Sequence, residues 1–99
     1  MKDEFITRVG VWGQRHYNYL KKHFTTVINV MRMNGTLEQY LKDIDKDAKE
    51  MLNKLVKQLA DSEGINEELK SANEIDWIRS MNSIRNRAEE IVLSEVIYN

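Results

Sequence analysis

Residues 35–64 read GTLEQYLKDIDKDAKEMLNKLVKQLADSEG. Between the two bracketing glycines there is no helix breaker, and Leu37, Leu41, Ile44, Ala48, Met51, Leu55 and Leu59 recur at three- and four-residue steps. Such a stripe defines an amphipathic helix, and its period near 3.5 residues favours packing at a shallow angle against a neighbour. Thr36 and Gln39 have the spacing of a capping box, in which each side chain satisfies a backbone N–H at the helix start. A helix is therefore predicted over 36–62.

The chain on either side repeats the pattern. Trp12, His16, Leu20, Phe24, Val27, Ile28 and Met31 form one stripe while Arg15, Lys22 and Asn29 face away, which predicts a helix over 12–34 with Gly35 just beyond its end. Asn66 followed by Glu67 and Glu68 is a capping sequence. Beyond a bend expected near 71–73, Trp77, Ile78, Met81, Ile84, Ala88, Ile91 and Val92 extend a third helix, 66–98. Short glycine turns make successive helices antiparallel, so the expected fold is all-α: one domain over 1–99, an elongated three-helix up-down-up bundle with a short N-terminal arm, 1–11.

Helices of about 25 residues reach about 35–40 Å, long for so small a domain, so apolar surface is left over and a homodimer is a possible partner state. Ile91, Val92, Leu93, Val96 and Ile97 point around most of the last helix. Phe5, Ile6, Val9 and Val11 have β-leaning character and are expected to cover that end as an extended arm, with a second subunit as the alternative.

Composition narrows the function classes. The 99 residues carry 15 basic and 16 acidic side chains, a net charge of -1, so any basic surface is local. Residues 1–35 hold six bases against two acids (+4) and the remainder nine against fourteen (-5). That asymmetry fits either an anion-binding end or complementarity between neighbouring helices. There is no cysteine, hence no disulfide or thiolate chemistry, and no apolar run long enough for a bilayer. A cytoplasmic location is expected.

In the last helix, Arg85 lies about 40° from Met81 on a helical wheel, inside the expected apolar face, with Asn82 and Glu89 at its edge. These three, with Asp47 of the second helix as a further carboxylate for the guanidinium, read as a polar seam that fixes helix register. The competing role for Arg85 is to grip a phosphate or a partner's carboxylate. Arg79, Ser83, Asn86 and Arg87 face outward, types able to contact phosphates and base edges, although Glu90 beside them opposes the idea. Arg15 and Lys22 are the matching candidates on the first helix.

His16 and His23 are two turns apart, too few ligands for zinc, and read as hydrogen-bonded interfacial side chains. Asp43, Asp45 and Asp47 imitate the start of a calcium loop, but its sixth position is Ala48 and its twelfth Lys54, so they read as a solvated flank. Trp12, Trp77 and the tyrosines at 17, 19, 40 and 98 read as core or interface anchors before base-stacking platforms. No phosphate loop or nucleophile elbow occurs. Neither an enzyme, a metal nor a cofactor is expected.

The chain resembles the TnpV family of small proteins encoded on bacterial transposons. The likeness runs from about Val11 to Tyr98 and is carried by Trp12-Gly13, Arg15-His16, Tyr19-Leu20, Gly35 with Leu37, Tyr40-Leu41 and Ile44-Asp45. Above all it rests on Trp77, Met81-Asn82 and the string from Ile84 to Val92. Many relatives look to have a longer segment before the tryptophan than the eleven residues here. The resemblance implies a bacterial, mobile-element origin and an accessory part in the element's life, with no catalytic residues to transfer. Two functions follow as expectations. One is a non-enzymatic accessory protein that binds DNA or a DNA-processing partner, such as a recombinase, through the last helix and the basic first helix. The other is an inhibitor of a host protein, for example a defence nuclease, presenting Asp43, Asp47, Glu89 and Glu90.

Overall fold

The computed structural model describes residues 3–99. Met1 and Lys2, part of the expected arm and of the +4 tally, lie outside the described residues. After a short 3-10 turn, Glu4–Arg8, the helices are α1 (Val11–His23), α2 (Thr25–Asn34), α3 (Leu37–Ser62), α4 (Glu67–Ala72) and α5 (Glu74–Val92), closed by a π turn, Leu93–Ile97. The described residues are all-α, with five α-helices where three helices were expected. No described helix is long and apolar enough to cross a membrane.

Each extra break has a local cause. The expected first helix divides at Phe24 (φ -138°, ψ 54°), ahead of the β-branched run Thr25-Thr26-Val27, and the Thr25 hydroxyl donates back to the Lys21 carbonyl at 3.1 Å. The kink turns Ile28 and Met31 onto Leu37 and Leu41. Gly35 then takes the left-handed conformation (φ 75°), and the Thr36 N–H closes onto the Met31 carbonyl at 2.9 Å. In that tight turn the Thr36 hydroxyl is drawn to Asn34 Oδ1 and the Gln39 amide to Asp43. The expected capping box is therefore not formed. Asn66 accepts the Leu69 N–H and Asn73 the Asp76 N–H, so the bend at 71–73 is a second capped start. Beyond Val92 the winding loosens, with the Tyr98 N–H bonding five residues back to the Leu93 carbonyl, instead of continuing as α-helix to Tyr98.

α3 is the spine. α1 runs antiparallel along its first half, Trp12 lying beside Asp45 and His16 beside Tyr40. α5 runs antiparallel along its second half, where Ala88 and Val92 meet Ala48 and Leu52. α1 and α5 barely touch each other, and only the π turn passes under α1. This offset replaces the expected side-by-side bundle with a rod of 56 × 22 × 16 Å. Two apolar clusters result, one around Tyr17, Leu20, Ile28, Leu37 and Leu41, the other around Trp12, Ala48, Leu52, Ala88, Val92 and Ile97.

The arm is a 3-10 turn, not an extended strand, and it covers the opposite region from the one expected. The Gln14 amide donates to the Ile6 and Val9 carbonyls, pulling Phe5, Ile6 and Val9 onto the first cluster. Ile97 and Val92 are covered instead by Trp12 and α3, while Val11 stays exposed.

Asp3 fastens this arm. Arg32 Nε and Nη2 donate to its carboxylate at 2.9 and 2.6 Å, and the Tyr17 hydroxyl donates to it as well. The Arg32 hydrogen bonds, assisted by Tyr17, hold the Asp3 carboxyl below the usual carboxylate range against the opposing effect of burial. Burial, then the Asp3 hydrogen bond, pushes the Tyr17 hydroxyl up. A carboxylate depressed in the folded state contributes stability that is present above its unfolded pKa and lost as pH falls through the folded value. Thermal unfolding is expected to move to lower temperature as pH drops below about 4. In Asp3→Asn that acid slope should be shallower, and an unchanged slope would refute the assignment.

Candidate partner-binding faces and the buried polar layer

Between the two apolar clusters lies a polar layer. Asp45 is buried between Leu41 and Ala48 on the inner stripe of α3 and accepts the N–H groups of Trp12 and Gly13 at 3.0 and 3.1 Å. The first turn of α1 is thus capped by another helix. Lys49 pairs with the second carboxylate oxygen at 2.8 Å. Gly10 and Gly13 permit the approach, since a Cβ at Gly10 would strike the Asp45 carboxylate and one at Gly13 would come within 2.6 Å of the Leu41 carbonyl.

His16, also buried, has Nδ1 2.8 Å from the Ile97 carbonyl and Nε2 2.9 Å from the Tyr40 hydroxyl. A carbonyl only accepts, so the imidazole donates from Nδ1. Every polar atom of this layer is partnered within the chain, and among the described residues no buried side-chain nitrogen or oxygen lacks a partner. The layer's chemistry is consumed in joining α1, α3 and the π turn.

The expected seam of Asn82, Arg85, Glu89 and Asp47 does not assemble. Among the described residues no hydrogen bond or ion pair joins these four, and Arg85, Asn82 and Asp47 are exposed while Glu89 is half-buried. The reason is the offset packing. With α3 alone against α5, the buried stripe narrows to Ile84, Ala88 and Val92, and Arg85 falls on an open flank. There it borders a shallow groove of about 230 Å³ with Val56, Trp77, Ile78, Met81 and Asn82. The buried carboxylate of α3 is Asp45. Its wheel position, about 40° from Leu41 and flanked by Ala48 and Leu52, was the available signal. Reading the three aspartates together as a solvated flank concealed it.

On the outward side of α5, Ser83 and Asn86 are exposed, but the two arginines have carboxylates nearby. Arg87 grips Glu63 with two bonds of 2.7 and 2.9 Å, which hold the Glu63 carboxyl below its ordinary range and raise the guanidinium. Arg79 lies 4.0 Å from Asp76. Glu90 and Glu95 share a shallow depression with Arg87, so this face carries both signs.

The α1 face is different. Arg15 and Lys22, seven residues apart and so on one side of the helix, line a groove of about 470 Å³ with Asn18, Tyr19, His23 and Tyr98. No carboxylate side chain lines it. The Arg15 guanidinium lies 4.9 Å from the centre of the Trp12 ring, held by packing instead of by an acid. Tyr19 contacts His23, Phe24 and Tyr98 with ring centres 5.1, 5.7 and 5.4 Å apart. Arg15 and Lys22 were singled out from the sequence. Tyr98 was read only as a core or interface anchor, because its arrival in this groove depends on the π turn and the His16–Ile97 bond, which no local pattern announces.

Among the described residues the molecule is thus a helical rod whose buried polar side-chain atoms are all partnered, with a basic face lined by aromatic rings on α1. The family model for the transposon-encoded protein TnpV matches residues 1–97. The chain belongs to that family. No curated protein and no solved structure matches it significantly.

Proposed function

We propose that the protein is a non-enzymatic accessory factor of its transposon, acting in the bacterial cytoplasm, and that it binds DNA through the outer face of α1. The observation that carries this reading is the convergence of Arg15, Lys22 and His23 around Asn18 and Tyr19 in a groove with no carboxylate side chain. Lysine and arginine neutralise phosphates, while amide and hydroxyl groups supply further hydrogen bonds to the backbone. The membership in a transposon-encoded family supplies the context. The outer face of α5 is the weaker surface for a polyanion, since Glu63 pairs with Arg87 and Asp76 stands near Arg79.

Inhibition of a host protein through Asp43, Asp47, Glu89 and Glu90 has less support. Asp43 is engaged by Gln39, Glu89 is half-buried, and the four are divided between two helices without meeting in one of the grooves described above.

Fluorescence anisotropy with labelled duplex DNA tests the reading. Binding at low salt should weaken as salt rises, with a log–log slope of about 2–3 for two or three phosphate contacts. Arg15→Ala combined with Lys22→Ala should weaken it about tenfold or more, while Arg79→Ala should matter far less. Absence of binding at low salt, or equal loss in both variants, would remove the proposal.

A further inference from the structure

The two ends of the rod are chemically unlike. At the α2 end, Phe24, Val27, Val30 and Met33 are exposed at three-residue steps, Met33 at 88%, beside Lys21, Lys22 and His23 in the last turn of α1. Single exposed apolar side chains need no explanation, but Val27, Val30 and Met33, within about 120° of one another on the wheel of α2, make a surface. At the far end, residues 61–76 hold Asp61, Glu67, Glu68 and Glu74 against Lys70, a net of -3 with Glu63 set aside as the partner of Arg87 and Asp76 as that of Arg79. Exposed Ile75 and Ile78 lie at its edge, Ile75 at 69%. Because α2 leads into the start of α3 and α4 follows its end, α3 separates these two surfaces.

We propose that the protein self-associates head to tail, the acidic end of one copy docking on the basic, apolar α2 end of the next. Charge decides the occupant and the geometry. Pairing two α2 ends would set Lys21 and Lys22 against themselves, and pairing two far ends would oppose carboxylates. Only the heterologous contact matches apolar to apolar and base to acid, and this chain itself carries both surfaces. Such a contact leaves one end of each copy open, so assembly continues beyond two instead of closing as a symmetric dimer. A rod only 22 × 16 Å across keeps each contact below the size of a stable interface, so association is weak and rises with concentration.

Sedimentation velocity of the full chain, up to high micromolar concentration at low salt, provides the test. The average mass should exceed that of a dimer and fall toward the monomer as salt screens the ends. Lys21→Glu with Lys22→Glu, and separately Asp61→Lys with Glu68→Lys, should each weaken association about tenfold or more. An equimolar mixture of the two variants should recover it, because each reversed end then meets its reversed complement. Val30→Glu, or Met33→Ser at the most exposed position, should also weaken it, with circular dichroism reporting that the helices remain. A monomer at every concentration, a closed dimer, a mixture that stays monomeric, or association indifferent to Val30 and Met33 would each overturn the proposal.

Discussion

Asp45→Ala is expected to lower the midpoint of thermal unfolding by about 10–25 °C, from a loss of about 2–4 kcal/mol in a domain of this size. The carboxylate accepts two backbone N–H groups at the start of α1 and a lysine. Removal strands the Trp12 and Gly13 donors in a buried layer, where no other acceptor among the described residues replaces it. An unmade buried bond costs more than a made one contributes. Asp45→Asn keeps an acceptor oxygen but loses the charge, and should fall between wild type and alanine. Asp47→Ala, two residues on and exposed, should change stability by no more than about 0.5 kcal/mol. Circular dichroism melts of the three variants decide the matter, and equal midpoints for Asp45→Ala and Asp47→Ala would refute the capping role.

Gly13→Ala should destabilise, although the same change inside a helix ordinarily stabilises by about 1 kcal/mol. The new methyl would come within 2.6 Å of the Leu41 carbonyl and collide with Val9, so α1 would have to back away from α3. Overpacking of that kind costs about 1–3 kcal/mol, enough to cancel the propensity gain and reverse its sign. Gly10→Ala meets the Asp45 carboxylate instead. Its penalty should shrink in the Asp45→Ala background, where the methyl finds the vacated space, and a double-mutant cycle measures that coupling. A raised melting temperature for Gly13→Ala would show that the two helices are not in this close contact.

Helix content was legible because the apolar residues recur at one period and the chain contains no proline. Gly35 and the Asn66 cap mark their turns by their own backbone chemistry. What stayed hidden were the places where a competing contact, near or distant in sequence, outbid the expected one. Thr36 has the sequence of a capping residue, yet Asn34 claims its hydroxyl. Arg85 is on the apolar side of its own wheel, yet the neighbour that would bury it is absent because α1 and α5 occupy different halves of α3. Phe5, Ile6 and Val9 were expected over the end of the last helix, and Gln14, an ordinary surface residue by type, holds them on the other cluster. In the candidate site the same rule holds. Arg15 and Lys22 share a face by spacing alone, whereas Tyr98 joins them from the other end of the chain.

The second apolar cluster has a consequence for the order in which the protein is made. It joins Trp12 to Val92 and Ile97, which are synthesised about 80 residues after it. Domains fold from the N-terminal side as synthesis proceeds, and α1, α2 and the first half of α3 can assemble while α5 does not yet exist. During that interval the indole and the inner face of Ala48 and Leu52 have no cover. The nascent chain therefore exposes a sticky half-core until Val92 to Ile97 emerge, a window in which a chaperone, or another nascent copy, can reach it.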